Sequence, residues 1–461
     1  RNLDDFREVL RTTAGVTFLA GETGEEDVRL RGFSLGTAGD IYRDGLRDAP
    51  LIERDTFNDD RVEVIKGSAS MLFGKGSTGG VVNQVSKQPF LMNQHEASVT
   101  LGSGNEKRVH GDFNWHTGQD AALRLNLMGH DADNWGARQR KVGIAPTFRW
   151  GIGTRNEFSV GLYHLDVDGR SSYNHPWFIR DGRIVPTLPA RNFYGLDSDK
   201  QNSSSTFVTL GHTHRFADGG QLKTQLRHGR YERDLWASVI RFGTTAGERT
   251  TLDNWGPDTL ITRTPKGRIG RSDLTQLQSD YSNSFDWGGR KHAVLAGVDF
   301  YYDDARRNNN FAGPASGLTT TVGQPNNGDW RADPRGAPAY NTFDARNIGV
   351  YVQDTVSLTD TLKLVAGLRF DHFKGSYDTV ASTAANGSVT PGYSFSKTES
   401  LWSPRVGLLW QPSETSSYYV SYGTSYNTSG DAYQFTPASP NNTLANTPPE
   451  KSRNFEIGGK W

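Results

Sequence analysis

The chain has 461 residues with 51 Lys+Arg against 51 Asp+Glu, so its formal net charge is zero and a bulk basic field for nucleic acid is excluded. Hydrophobic residues are 34%, aromatics 11%, glycines number 52 and cysteine is absent. The aromatic content excludes a disordered chain. The missing cysteines exclude disulfides, thiolate metal sites and a thiol nucleophile, and no apolar run of about 18 residues exists to form a transmembrane helix. Much Gly, many aromatics and few aliphatics fit an all-β protein whose strands bury one face.

Residues 1–90 read as a small mixed α+β domain. Leu3, Phe6, Val9 and Leu10 lie at helical spacing with acids in the first turn. Short apolar stretches follow at Val28–Arg31, Asp40–Tyr42, Val62–Ile65 and Val81–Val85, separated by glycine turns, and Gln88-Pro89-Phe90 marks a boundary. No apolar leader precedes Arg1, which carries no information on export.

From 91 to 461 the period is two. Leu123, Leu125 and Leu127 share one face, with Arg124 and Asn126 on the other. Val109, Phe113 and Trp115 alternate with Arg108, His110, Asp112, Asn114 and His116, and Leu364, Leu368 and Phe370 alternate with Lys363, Arg369 and Asp371. Charge on one face and apolar or aromatic groups on the other, over about ten residues, is the pattern of a transmembrane β-strand. Such segments fall near 95–104, 107–117, 121–131, 140–151, 154–168, 203–216, 221–240, 272–287, 291–303, 346–358, 361–374, 400–411, 416–427 and 451–461. Links of a few residues alternate with long polar ones such as 304–345, the asymmetry of an outer-membrane barrel with short periplasmic turns and long extracellular loops. A soluble sandwich or propeller would also alternate, but its loops would be short at both ends, and no fixed 40–50-residue repeat is present. Trp115, Trp150 and Trp410 end strands and fit an interfacial girdle. Tyr173, Trp177, Phe178, Phe193, Tyr194, Trp255 and Trp330 lie in the long loops, where they either cover a ligand or join the girdle.

Gly74-Lys75-Gly76-Ser77-Thr78-Gly79 matches G-x-G-x-x-G, yet the strand-like Val81–Val85 follows where a dinucleotide site needs a helix, so a tight glycine turn is expected. His212 with His214, and His110 with His116, share strand faces without a third ligand nearby. Both pairs are expected to be polar residues facing a lumen, not a metal site.

The run Arg54-Asp55-Thr56-Phe57-Asn58, followed by Val62-Glu63-Val64-Ile65-Lys66-Gly67-Ser68-Ala69-Ser70-Met71-Leu72-Phe73-Gly74-Lys75-Gly76-Ser77-Thr78-Gly79-Gly80-Val81-Val82-Asn83-Gln84-Val85, resembles the plug of TonB-dependent siderophore receptors. Leu30-Arg31-Gly32-Phe33 and Tyr42-Arg43-Asp44-Gly45 fit the same plug. Ser403–Pro412 and Asn454–Lys460 are similar to barrel strands of that family. Gly45-Leu46-Arg47-Asp48 ahead of Arg54 is similar to the receptors for catecholate iron complexes.

The resemblance implies a mixed α+β plug domain at 1–90 inside a large antiparallel transmembrane β-barrel at 91–461, in the outer membrane of a Gram-negative bacterium. It implies active import of a ferric siderophore, energised by the TonB-ExbB-ExbD complex, with membrane lipid and lipopolysaccharide around a monomer. It implies no enzyme, no nucleic-acid partner and no cofactor, the iron arriving as the chelated ligand. A hydroxamate siderophore, haem or cobalamin receptor, and a passive porin, are the alternatives. Large plugged transporters have roughly 22 strands. The roughly 14 segments here and the missing TonB box lead to the expectation of a piece of a longer protein that lacks its N-terminal box and C-terminal strands.

A ferric catecholate is anionic and ring-bearing, so cations and flat aromatic faces are expected at the plug's apical loops. Arg31, Tyr42, Arg47, Arg54 and Phe57 are the candidates for ligand binding, against the alternative that the arginines pair with Asp44, Asp48 and Asp55. Glu456 faces the lumen by alternation and needs a cation, for which Arg31 and Lys66 are the candidates, as plug–barrel ion pairs.

Overall fold

The computed structural model describes residues 5–20, 26–35, 40–50, 52–76, 78–170, 175–245, 247–308, 318–333, 335, 339–383, 387–428 and 448–461. The first helix is Phe6–Arg11. Asp5 caps it by accepting the Arg7 amide at 2.8 Å, Arg11 lies at its C-terminal end, and Phe6 and Leu10 are buried one turn apart. Val9 is half-buried, and Leu3 lies outside the described residues.

Two small sheets complete this region. Val16–Ala20, Glu26–Leu30 and Phe33–Ser34 form one. The other runs in the order Leu46–Arg47, Ile41–Arg43, Gly80–Ser86, Asp59–Lys66, with the middle pair parallel. Phe6, Leu10, Val28, Leu30, Leu35, Ile41 and Val82 make the core that joins helix and sheets. The described residues of the glycine-rich run bend after the short helix Ser70–Phe73, and the strand Gly80–Ser86 follows where a dinucleotide site would need a helix. Gly74 and Gly76 take φ of +87° and +93°, which L side chains avoid.

Fourteen strands then pair with their sequence neighbours in one antiparallel sheet. They are Gln94–Gly102, Glu106–Gly118, Ala121–Asn134, Ala137–Trp150, Asn156–Arg170, Lys200–Arg215, Gln221–Phe242, Leu260–Trp287, Arg290–Asn308, Tyr340–Ser357, Leu362–Asp378, Ser394–Ser413, Ser416–Asn427 and Glu450–Lys460. Thr319–Thr321 adds to the edge of the long Leu260–Trp287 strand. A bilayer needs about 9–11 residues per strand, so this 28-residue strand stands well clear of it on the long-loop side.

The outer wall records that boundary. On Tyr340–Ser357 the outward series is Thr342, Asp344, Arg346 and then Ile348, Val350, Val352, all exposed, while Asn341, Phe343, Ala345, Asn347 and Tyr351 are buried inside. The apolar band therefore ends between Arg346 and Ile348. Next door Leu368 is exposed, and Arg369 and Asp371 are buried inward at 1%. Trp150 and Trp410 sit exposed at the short-turn rim, each against another aromatic ring.

One expectation is overturned. His212 and His214 share their face with the exposed Val208 and Leu210, on the outer wall and not in the lumen. His212 stacks on Phe158 at 4.5 Å and His214 meets Phe216 edge-on at 4.7 Å. Strand parity outranks side-chain polarity here, because an imidazole tolerates the interface at a barrel rim. His110 does face inward, its Nε2 3.0 Å from the Phe57 carbonyl oxygen.

Candidate functional site

From the upper edge of the apolar band, successive strands each turn a ring or aliphatic group inward. Tyr163, Phe207, Tyr231, Leu274, Tyr301, Phe343, Phe373 and Tyr377 form one buried cluster with Ala49, Ile52 and Phe57 from the first domain. Tyr163 and Phe207 are stacked at 4.7 Å, and Phe57 stacks on Tyr163 at 5.4 Å. The result is an aromatic collar closed by the tip of the N-terminal domain.

Two cations of that domain sit against the collar. The Arg47 guanidinium lies 5.5 Å from the Tyr301 ring centre and the Lys75 ammonium 5.2 Å from the same ring, with Phe373 4.5 Å from Lys75. Arg47 also donates to the Lys75 carbonyl at 2.5 Å and lies 5.8 Å from the Tyr42 ring. Burial, reinforced by the Arg47 charge, holds the Lys75 ammonium well below the usual lysine range against the pull of Asp371, Asp40 and Asp303. Burial likewise pushes the Tyr42 hydroxyl up to about 12, and that hydroxyl donates to the Phe73 carbonyl at 2.9 Å. The Arg47 cation with the Lys75 amine beside the same phenol ring suits an anionic ligand that carries flat rings, whose charge would favour the protonated lysine. Among the described residues no group of three or more His, Asp or Glu is placed to hold a metal ion.

The N-terminal domain is pinned inside the barrel by charge. Arg108 donates to both Asp55 oxygens at 2.7 and 3.0 Å, and Lys141 reaches the same carboxylate at 3.5 Å. All three side chains are buried. Burial alone would raise the Asp55 pKa. The Lys141 charge and the Arg108 hydrogen bonds outweigh it and hold the carboxyl below its usual range. Arg227 reaches the Arg43 carbonyl and Asp44, each at 3.0 Å, and the Gln276 amide clamps the Arg47 backbone through two bonds of 2.8 Å.

A family model described as TonB dependent receptor-like, beta-barrel matches residues 147–461, and one described as TonB-dependent Receptor Plug Domain matches 1–81. The chain belongs to the TonB-dependent receptor family. It is 31% identical to the probable TonB-dependent receptor BfrD of Bordetella pertussis over 99% of this chain and 63% of that protein. It is 27% identical to the catecholate siderophore receptor Fiu of Escherichia coli K12 over 98% of this chain and 64% of that one. The chain thus spans a little under two thirds of the length of these curated relatives. Crystal structures of the closed form of E. coli Fiu and of PiuA from Acinetobacter baumannii each superpose with a TM-score of 0.88 at 24% identity, covering the whole chain and 69% and 68% of theirs. The receptor is therefore an outer-membrane barrel with a plug.

Within this receptor the residues singled out from sequence take different places. Tyr42 and Arg47 come together with Lys75 against the collar. Arg54 does not reach the apical surface. It is buried at 2%, bonded to Asp48 at 2.9 Å and to the Ala49 and Ile52 carbonyls, because an apolar environment forces a guanidinium onto the nearest acid and carbonyls. Phe57, buried at 2%, packs sideways on the wall at Gly143 and Tyr163 and offers no face upward. Arg31 meets Glu456 at 3.5 Å with both side chains partly exposed, and Tyr419 donates to the same carboxylate at 2.7 Å. Lys66 lines the cavity beside Glu456, whose described bonds run to Arg31, Tyr419 and Asn454. Of the loop aromatics, Phe193 and Tyr194 are buried, Phe178 stacks on Phe242, Trp255 packs on a loop core, and Trp177 and Trp330 are exposed. Tyr173 lies outside the described residues.

Lys75, Arg108, Lys141, Arg227 and Gln276 were missed as site residues. For Arg108 the signal was present: a cation on the inward face of a strand at a buried level needs an anion, and Asp55 stands in the Arg54–Asn58 run of the plug. For Lys75 the glycine-turn reading absorbed the whole motif.

Proposed function

We propose that this receptor actively imports a ferric siderophore of the catecholate type across the outer membrane. Residues 1–90 act as plug and 91–461 as barrel. The observation that carries the reading is the placement of Arg47 and Lys75 on the Tyr301 ring of the aromatic collar. A ferric tris-catecholate brings net negative charge and flat rings, and such a site answers both. The description of the relative Fiu as a catecholate siderophore receptor supports the same ligand class. The iron is cargo inside its chelator, so the protein supplies no ligand to the metal and makes or breaks no bond. The work of moving a plug pinned at Asp55 comes from outside the barrel, through the TonB-ExbB-ExbD complex in the periplasm. Lipid and lipopolysaccharide surround a monomer. A passive porin is disfavoured by the buried contacts that join the plug to the wall inside the lumen.

The test is tryptophan-quenching titration of the full-length receptor with a panel of ferric chelates. Saturable quenching by ferric catecholates, with hydroxamates weak, supports the assignment. Tight hydroxamate binding with no catecholate response overturns it.

A further inference from the structure

The plug does not meet the wall evenly. On one flank Asp55 is locked by Arg108 and Lys141, and the Phe57 ring fills the space at Gly143 so closely that a Cβ there would lie 2.7 Å from it. On another flank the hairpin of Ile41–Arg43 and Leu46–Arg47, with its turn at Asp44-Gly45, is held mostly through neutral groups, the Gln276 amide on the Arg47 backbone and Arg227 on the Arg43 carbonyl, and the Arg227–Asp44 contact at 3.0 Å pairs one cation with one carboxylate where Asp55 has two cations.

Voids lie on both sides of that turn. A narrow crevice of about 30 Å3 is lined by Arg47, Lys75 and Tyr301 and extends to Gly45 and Gln278. A cavity of about 540 Å3 also reaches Gly45 and Gln278 and continues to Arg149, Glu157 and Arg215, beside the short periplasmic turns. Gly45 and Gln278 are thus the partition that the two share. The larger volume lies in the range of small-molecule sites, about 300–1,000 Å3. Its wall interleaves cations such as Lys223 and Arg215 with acids such as Glu157 and Asp280, and Tyr163 and Phe207 border it. Mixed charge with ring faces suits passage of an anionic, ring-bearing chelate, where tight retention would be a hindrance. A third cavity of about 330 Å3, beside Glu456, shares no lining residue with the crevice.

We propose that the bound chelate leaves the Arg47–Lys75 cluster past the Asp44-Gly45 turn into the 540 Å3 cavity, which is a transit site, with Gln276 and Arg227 as the latches that hold the hairpin shut. This rests on the import reading above. The Asp55 flank stays seated while the hairpin flank gives way.

The natural chain has no cysteine, so single thiols report one position each. Gln225→Cys places a thiol in the transit cavity, and Ser421→Cys places one in the cavity beside Glu456. Each full-length variant is expressed in receptor-deficient cells and its uptake of radio-iron complexed by dihydroxybenzoate is compared before and after labelling with a bulky maleimide, with labelling read by mass. Surface binding of the complex at low temperature and heat-modifiable gel mobility verify that the labelled receptor remains folded. The expected result is loss of uptake with retained surface binding on labelling at 225, and undiminished uptake on labelling at 421. Uptake that survives labelling at 225, a thiol at 225 that no reagent reaches during transport, or equal loss at both positions would overturn the route. Surface binding and uptake that are both absent in the unsubstituted receptor would instead overturn the import reading, and the route with it.

Discussion

Asp55→Asn is the sharpest perturbation of the plug–barrel junction. The asparagine keeps the shape but removes the charge that Arg108 and Lys141 share, and their side chains are only 4% and 3% exposed. Removing one partner of a buried pair costs about 3–5 kcal/mol. Lys141 also has Asp5 at 3.9 Å, which places the expected loss at the lower end, about 3 kcal/mol, or roughly a hundredfold in the equilibrium for opening the junction. Hydrogen exchange in the detergent-folded receptor reads this directly, at the Phe57 amide that donates to Asp55 at 2.9 Å and along Gly80–Ser86. Adding Arg108→Met should restore part of the loss, because the desolvated cation is then gone. Exchange that is unchanged in Asp55→Asn, or a double variant as weak as the sum of both singles, would show that no buried ion pair holds the plug at Asp55. The pH dependence follows from the lowered Asp55 pKa. Its contribution is complete above the unfolded value of about 3.9 and is lost only as pH falls through the lower folded value, so plug retention should be flat from neutral down to about pH 4.

Glu456→Gln should alter the same exchange by less than about 1 kcal/mol, since the Arg31 pair is long at 3.5 Å and partly exposed; a larger loss would show the pair to be buried in solution. Gly143→Val should destabilise plug seating by about 1–3 kcal/mol through overpacking on Phe57, seen as faster proteolysis of the plug. Arg47→Ala should weaken ferric catecholate binding by about 1.5–3 kcal/mol in the quenching titration while leaving barrel mobility on gels unchanged. Asp199 is buried in the extracellular loops, where burial, opposed by bonds from Leu196 and Ser238, pushes it up to about 6. An acid whose folded pKa is raised makes the fold less stable as pH climbs from about 4 to about 6 and constant above, so exchange at the Ser238 amide, corrected for intrinsic rate, should show falling protection across that window.

Period-two patterning made the barrel legible. All fourteen proposed segments overlap strands, because lipid outside and a polar interior force alternation that survives without any partner information. The ends were less legible: Leu260–Trp287 begins twelve residues before the proposed 272, since above the bilayer the outer face is polar and the contrast between faces fades. The same fading hid the collar. Tyr163 and Phe207 point inward beside the outward Leu162 and Val208, so apolar and aromatic groups stand on both faces there and aromatic content no longer marks the lipid side. His212 was misplaced by weighing its polarity over its parity with Val208 and Leu210. The Arg47–Lys75 pairing around Tyr301 joins residues more than two hundred positions apart, and the Asp55–Arg108 lock joins residues 53 apart. Alternation gives the face of each, and only the packed fold gives the partner.

Active import through a plugged barrel must draw its energy from outside the barrel. Uptake of radio-iron complexed by dihydroxybenzoate, in receptor-deficient cells expressing the full-length protein with and without a functional TonB, tests it most directly. Active import gives saturable uptake that disappears without TonB while surface binding persists. Uptake that is equal in both backgrounds, or that rises linearly with concentration, would contradict it.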